Sequence, residues 1–402
     1  MKTICITSQE FPPSIGGVGV SVKRIALLLK DLGYQVHVAI FRSVFRVEKQ
    51  LAKAGKFSRS QCETSVQDGI TVHRLYPAIR SIDARDQDYL MDIYGQLTTL
   101  YQKYKFEIVH AFFINETGFL TTMLARENGI PIINSVRGAD LHKHIFDSQQ
   151  QKQIDWTLYH SDWTTFVSKD LMRRARLFTP EITYKSSTFF NSIAPIDFET
   201  LPTPPLIDRL EGTVIGTVGN FRDKKGIEYL LDACQQLETK FTLLFVGAFA
   251  AKEREYWLQE LANSGLEDKI IITRKVSHEE ALAYLPYMDI FAIPSLNDGC
   301  PNALLEAMLA EKAVVGTRVD AIAEIIEDGV NGCLVNPYSS EELTTAINEL
   351  INRPLLRRAF GKSAKQTILQ KCNPAIEQEN WAKVYERVLA SHSQQDIEVL
   401  AV

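Results

Sequence analysis

Short apolar runs rich in β-branched residues alternate with segments of helical period along almost the whole chain, and this alternation leaves few architectures open. A strand-like run, an amphipathic helix and another strand-like run make a parallel βαβ unit. In the first half the runs are Thr3–Thr7, Gln35–Phe41, Ile70–Leu75, Glu107–His110, Pro131–Ser135 and Trp163–Val167, with helical segments such as Val18–Leu32 and Asp88–Tyr104 between them. A stretch holding Pro195, Pro202, Pro204 and Pro205 interrupts the pattern, as a linker would. The alternation resumes with Thr213–Val218, Phe241–Val246, Lys269–Thr273, Asp289–Ile293 and Ala313–Thr317. At 402 residues the chain exceeds one ordinary core, so two doubly wound α/β domains of about 150–200 residues each are expected.

Composition narrows the class. Hydrophobic residues at 45% and charged residues at 23% suit a globular chain with a sizeable core. No apolar run approaches the ~18–20 residues that cross a bilayer, and the N-terminus carries no small-residue cleavage site, so no secretory leader is expected. The six cysteines are scattered, without a C-x-x-C pair, which points to reduced thiols in a cytoplasmic protein and away from a structural zinc site. Residues 1–200 carry 24 basic and 20 acidic side chains, and residues 201–402 carry 20 and 29. The basic half suggests an anionic acceptor or lipid surface on that side, although two differently charged solvated surfaces account for the same numbers.

Ligands of doubly wound sheets bind outside the carboxyl ends of the strands, at loops that lead into helices. Three such loops carry chemistry. In Pro294-Ser295-Leu296-Asn297-Asp298-Gly299-Cys300-Pro301-Asn302 a strand ends, a polar turn follows, and Pro301 stands where a first helical residue is favourable. The helix start offers free N–H groups and a positive dipole end to a diphosphate. Asp298 and Glu306 could then bind hydroxyls of one ligand, while the same spacing also fits a capping acid and an ordinary helix residue. In Gly216-Thr217-Val218-Gly219-Asn220-Phe221-Arg222-Asp223-Lys224-Lys225-Gly226 three basic residues crowd a Gly-rich turn, as a diphosphate site or as a solvated basic loop. It lacks the G-x-G-x-x-G of dinucleotide enzymes, which disfavours a dehydrogenase. In Pro12-Pro13-Ser14-Ile15-Gly16-Gly17-Val18-Gly19 paired glycines permit close approach of backbone to a ligand.

These segments, in this order and spacing, resemble the family 4 glycosyltransferases over nearly the whole chain, most specifically in residues 213–336. The resemblance implies the GT-B fold, with two Rossmann-like domains facing across a cleft. It divides the chain into an acceptor-side domain at 1–195, a linker at 196–211 and a donor domain at 212–372, with a helix at 373–402 that carries Trp381 and Tyr385 and crosses back to the first domain. It implies transfer of a sugar from a nucleoside-diphosphate sugar to a hydroxyl acceptor with retention, without cofactor or metal. Glu306 would hold the donor ribose, Arg222 and Lys225 the diphosphate, and Asp298 the transferred sugar. Gly219, Gly299, Cys300, Pro301 and Asn302 would line the donor, and Gly16-Gly17 would close over it. His110 would act near the reacting sugar, and Arg137 and Asp140 would face the acceptor. A buried hydrogen-bonded histidine and plain turn chemistry are the alternatives for His110 and Asp140.

The chain departs from the family pattern at Asp298, where a Glu is usual, and at Asn220, where an Arg usually follows the glycine. Arg137-Gly138-Ala139-Asp140 replaces a His-Gly-x-Asp, and Phe112 stands where a second His is common. Asp86-Gln87-Asp88 spells the D-x-D of metal-dependent transferases but begins a helical stretch, so helix capping is expected. The segment 42–59 interleaves Arg42, Arg46, Lys49, Lys53, Lys56 and Arg59 with apolar residues, which fits peripheral contact with an anionic membrane or a solvated surface helix. No nucleic-acid partner is expected. An epimerase of GT-B fold and a non-catalytic two-domain binding protein remain the other readings.

Overall fold

The structure is a computed structural model that describes residues 2–13, 17–42, 50–80, 83 and 85–400, with side chains of the last helix described to residue 392. Its two compact units are Met1–Val167 with Leu171–Phe189 and Glu377–Val402, and Phe190–Ile376 with Ser168–Asp170. The expected boundaries lay at 195 and 212. The segment between them belongs to the second unit, where Ile196, Phe198, Leu201, Leu206, Ile207 and Leu210 pack on its core.

The first unit is built on β1 (Thr3–Ser8), β2 (Gln35–Phe41), β3 (Gln61–Gln67), β4 (Ile70–Tyr76), β5 (Ile108–Phe112), β6 (Ile132–Val136), β7 (Trp163–Phe166) and β8 (Ser186–Thr188). The sheet order is β3-β4-β2-β1-β5-β6-β7-β8. All neighbours are parallel except β3 and β4. The middle strands are buried on both faces because helices cover both; β5 and β6 are buried at every residue, with His110, Asn134 and Ser135 the polar exceptions in a largely apolar pair. The helix Gly17–Asp31 buries Val22, Ile25, Ala26 and Leu29, an i, i+3, i+4, i+7 stripe. Trp381, Val384, Tyr385 and Val388 from the final helix, Pro374–Leu400, complete the same core.

The second unit holds β9 (Thr213–Phe221), β10 (Phe241–Phe249), β11 (Ile270–Ile272), β12 (Ile290–Ile293), β13 (Ala313–Thr317) and β14 (Cys333–Val335), in the order β11-β10-β9-β12-β13-β14. Every pairing is parallel. The chain runs outward in one direction from β9 to β11 and then returns to β12 on the other side of β9. The loops after β9 and β12 therefore leave the sheet at its topological switch point, where a doubly wound sheet opens a crevice. These loops are the two basic and acidic turns singled out in the sequence.

Candidate functional site

The turn after β9 is pinned against the turn after β12 by a glycine. Gly226 has φ +63, and a Cβ there would lie 2.1 Å from the Pro294 carbonyl oxygen. Only glycine supplies both the left-handed backbone and the empty space. Leu296 N–H donates to the Lys224 carbonyl at 2.8 Å and closes the junction. Lys225 Nζ then reaches Asp298 Oδ2 at 2.5 Å, with the two side chains 20% and 15% exposed. Burial alone would push the Asp298 carboxyl up, but Lys225, Lys224 and Arg222 together outweigh it and hold the group below the usual carboxylate range. Burial draws the Lys224 ammonium down, against the opposing pull of Asp298. Arg222 is exposed at the mouth of the turn.

A third loop supports the acid. Asp320, after β13, accepts the Asp298 N–H on its Oδ2 at 2.9 Å, and Ala321 N–H donates to the Gly299 carbonyl at 3.3 Å. Pro301 is not the first helical residue that its sequence position suggested. It is the cap, with φ −75 and ψ 116, ahead of the helix Asn302–Leu309. The physical reason is the fixed turn before it: Asn191 Nδ2 donates to the Cys300 carbonyl at 3.1 Å and to Asn302 Oδ1 at 2.9 Å. The Pro301 carbonyl takes the Leu304 N–H at 3.1 Å, so helical bonding begins at that residue.

Glu306 lies inside this helix, its side chain 8% exposed, and its Oε1 accepts from His278 Nε2 at 2.8 Å. The hydrogen bond to Glu306 raises the basicity of the ring above its ordinary value, against the effect of burial. Gly219 sits beside Gly247 on β10, where a Cβ on Gly247 would be 1.9 Å from the Gly219 carbonyl. The second unit thus brings together Arg222, Lys225, Asp298, Gly299, Cys300, Pro301, Asn302 and Glu306 around two adjacent strand ends.

His110 is fully buried, with Nδ1 against the Tyr385 hydroxyl at 2.9 Å and Nε2 against Ser135 Oγ at 2.8 Å. Burial, helped by Arg137, brings its pKa down to about 3, so the ring is neutral. Asp140 is also fully buried, and its oxygens accept the Ile114 N–H at 2.7 Å and the Arg137 N–H at 2.9 Å. It ties the turn after β5 to the turn after β6, the turn-forming alternative of the sequence reading. Arg137 is half-buried, its guanidinium 5.4 Å from the Phe112 ring centre. Gly17 opens the first helix and is exposed, while Gly16 lies outside the described residues. Asp88 Oδ2 accepts the Arg85 N–H at 2.7 Å, the capping expected for the D-x-D triplet. In the basic segment Lys53, Lys56 and Arg59 are exposed beside Phe57, and Arg46 and Lys49 lie outside the described residues.

His278, Asn191, Asp320 and Gly247 escaped the sequence reading. Ser277 and Glu280 did signal a helix start at His278, and the Ser277 side chain does accept the Glu280 N–H. Nothing local tied that start to Glu306, which is 28 residues away.

Two parallel doubly wound units, with a basic turn and an acidic turn meeting at one switch point, form the frame of a GT-B glycosyltransferase. The comparisons agree. Residues 212–353 match the family described as glycosyl transferases group 1, and residues 19–168 match glycosyl transferase 4-like. An uncharacterized glycosyltransferase of Methanocaldococcus jannaschii is 32% identical over 177 residues, 43% of this chain and 44% of that one. The putative teichuronic acid biosynthesis glycosyltransferase TuaC of Bacillus subtilis is 24% identical over 92% of this chain and 94% of its own. Among solved structures, sucrose-phosphate synthase of Thermosynechococcus elongatus superposes with TM-score 0.79 at 17% identity, covering 97% of this chain and 100% of that one. Anabaena HepE in complex with UDP-glucose superposes with TM-score 0.74 at 17% identity, covering 96% and 100%. The chain is a glycosyltransferase enzyme with the GT-B fold.

Proposed function

We propose that the enzyme is a retaining family 4 glycosyltransferase that moves a sugar from a nucleoside diphosphate to a hydroxyl acceptor, with the donor held by the second unit. The observation that carries this is the meeting of Lys225 and Asp298 at 2.5 Å, between turns 73 residues apart in sequence. On this reading the contact joins a cation that serves the diphosphate to an acid that serves the sugar. Lys225, Arg222 and the positive dipole end of the helix Asn302–Leu309 stabilise the charge that develops on the departing phosphate. Asp298 accepts from a sugar hydroxyl and Glu306 from the ribose. The C1–O bond to phosphate breaks as the C1–O bond to the acceptor forms on the same face, and the acceptor proton passes to the leaving phosphate oxygen. No metal or cofactor takes part in this scheme. With both ring nitrogens of His110 and both oxygens of Asp140 already bonded, these side chains shape the first unit, Arg137 faces the acceptor, and Gly17 keeps its place over the donor.

The acceptor is a glycan, lipid-linked or small-molecule hydroxyl, an anionic one suiting the basic first unit. No helix among the described residues is long and apolar enough to cross a membrane. Contact with a lipid surface would therefore be peripheral, through the basic segment 42–59, and binding to anionic liposomes that survives charge reversal of Lys53 and Lys56 would refute it.

The donor reading is tested by thermal stabilisation with UDP, GDP, ADP and NAD. A ligand at one hundred times its Kd adds about 2.7 kcal/mol. A shift with one nucleoside diphosphate supports the donor site and names the base. A shift with NAD alone, or with none, removes it. Retention is read from the anomeric configuration of the product by NMR, and metal independence from turnover in EDTA.

A further inference from the structure

The two acids of the donor site are partnered differently. Asp298 is paired by Lys225, from the turn already assigned to the diphosphate. Glu306 is paired from elsewhere. The one hydrogen bond its side chain makes among the described residues comes from His278 Nε2, at 2.8 Å. His278 is the first residue of the helix His278–Tyr284, whose start is fixed by Ser277 accepting the Glu280 N–H at 3.1 Å. Its ring is 63% exposed while the Glu306 side chain is 8% exposed. The imidazole thus stands at the surface end of a nearly enclosed carboxylate.

A carboxylate in such a place must be hydrogen-bonded or its burial is costly. A donor from a capped helix start also fixes the carboxylate's rotation, because the ring has few rotamers and its backbone is held. With Oε1 engaged, Oε2 is left as the acceptor available to a ligand hydroxyl.

We propose that His278 is a positioning residue of the nucleoside subsite, which holds Glu306 by one oxygen so that the other meets the donor ribose. This rests on the reading of Glu306 as the ribose ligand. A residue that acts in this way governs nucleotide binding and leaves the diphosphate contacts and the chemical step alone. Loss of a hydrogen bond to a charged group corresponds to about tenfold in affinity.

The test is calorimetric titration of UDP, GDP, ADP and inorganic pyrophosphate into the wild type and the variants His278→Ala, His278→Gln and Glu306→Ala. The Gln side chain keeps an N–H donor at similar reach. For the nucleotide that binds the wild type, His278→Ala raises Kd about tenfold and Glu306→Ala raises it at least as much. His278→Gln stays within about threefold of wild type. Pyrophosphate, which has no ribose, binds all four proteins alike. In turnover His278→Ala raises the donor KM and leaves kcat within about twofold. Unchanged or tighter nucleotide binding in His278→Ala, with weakened binding in Glu306→Ala, overturns the role of His278 alone. Equal loss of pyrophosphate binding in His278→Ala overturns it too, since the whole site would have been disturbed. Unchanged binding in Glu306→Ala, or no nucleotide bound by the wild type, overturns the ribose assignment and this inference together.

Discussion

Replacing Gly226 by Ala should separate the two turns of the proposed donor site. The substitution carries two costs. Placing an L-residue at φ +63 costs about 1–2 kcal/mol. The new Cβ would also lie 2.1 Å from the Pro294 oxygen, and the obstacle is backbone, not a movable side chain. Relieving that overlap takes a shift of roughly 1 Å or more, and overpacking of this kind costs about 1–3 kcal/mol. Together they reach about 2–5 kcal/mol, a large part of a typical stability of about 5–15 kcal/mol. If the turn moves away instead, it stretches the Leu296–Lys224 backbone bond of 2.8 Å and draws Lys225 off Asp298. Gly265→Ala is the control, because that glycine has φ +68 but open space within 4 Å of a Cβ. It should show the backbone cost alone. Urea midpoints of the two variants, followed by circular dichroism, give the difference, and nucleotide titration gives the effect on the site. Gly226→Ala no less stable than Gly265→Ala, with nucleotide affinity unchanged, would refute the claim that this contact sets the spacing of the two turns.

Three further outcomes follow from the same geometry. His110 and His73 are held at about 3 and about 4, both mainly by burial, well below their ordinary 6.5. Each contributes stability that is present above pH 6.5 and lost as pH falls toward those values, at up to about 1.4 kcal/mol per pH unit. Urea midpoints should therefore drop between pH 7 and pH 5, and less steeply in His73→Gln; parallel slopes would count against neutral burial. Asp140→Asn keeps one acceptor where two backbone N–H groups are bound, so it should cost about 1–3 kcal/mol by thermal or urea unfolding. Asn191→Ala removes the donations to the Cys300 carbonyl and to Asn302 Oδ1, and should weaken nucleotide binding several-fold in titration while leaving the helical circular dichroism signal intact.

Much of the fold was legible because parallel strands covered on both faces are largely apolar, and such runs stand out. Gln35–Phe41 and Ala313–Thr317 were read with the bounds they have. β3 was missed because Gln61–Gln67 is exposed along nearly its whole length and so carries no buried periodicity. β8 and β14 are three residues each, and Ser-Ser-Thr and Cys-Leu-Val lack the β-branched apolar run that marks the equally short Ile270–Ile272. β9 and β10 run three residues past their expected ends. Their last pairs, Gly219 with Gly247 through Phe221 with Phe249, hold glycine and asparagine where an apolar run was sought. The linker was drawn at the prolines. Composition marks where a chain cannot be helical, while the unit a segment belongs to is decided by what its Ile, Leu and Phe side chains meet.

The site was legible only as far as its own turns. Residues that bind an anion must sit near a strand end with glycine or helix-start backbone, and that is a local pattern. Residues that hold those turns in place carry no such mark: Asn191 acts on a turn more than 100 positions later, and His110 is enclosed by Tyr385 from 275 positions later. The holding residues also decide how the charges behave. Both acids of the proposed donor site are paired within the protein, Asp298 with Lys225 and Glu306 with His278. On the proposed reading a bare diphosphate must win Lys225 from Asp298 and leaves that acid behind with its strongest partner diverted. A complete sugar nucleotide offers Asp298 a hydroxyl in the same step. On that reading the pairing penalises the fragment more than the whole donor, and discrimination in favour of the intact sugar nucleotide would arise from the Lys225–Asp298 contact itself.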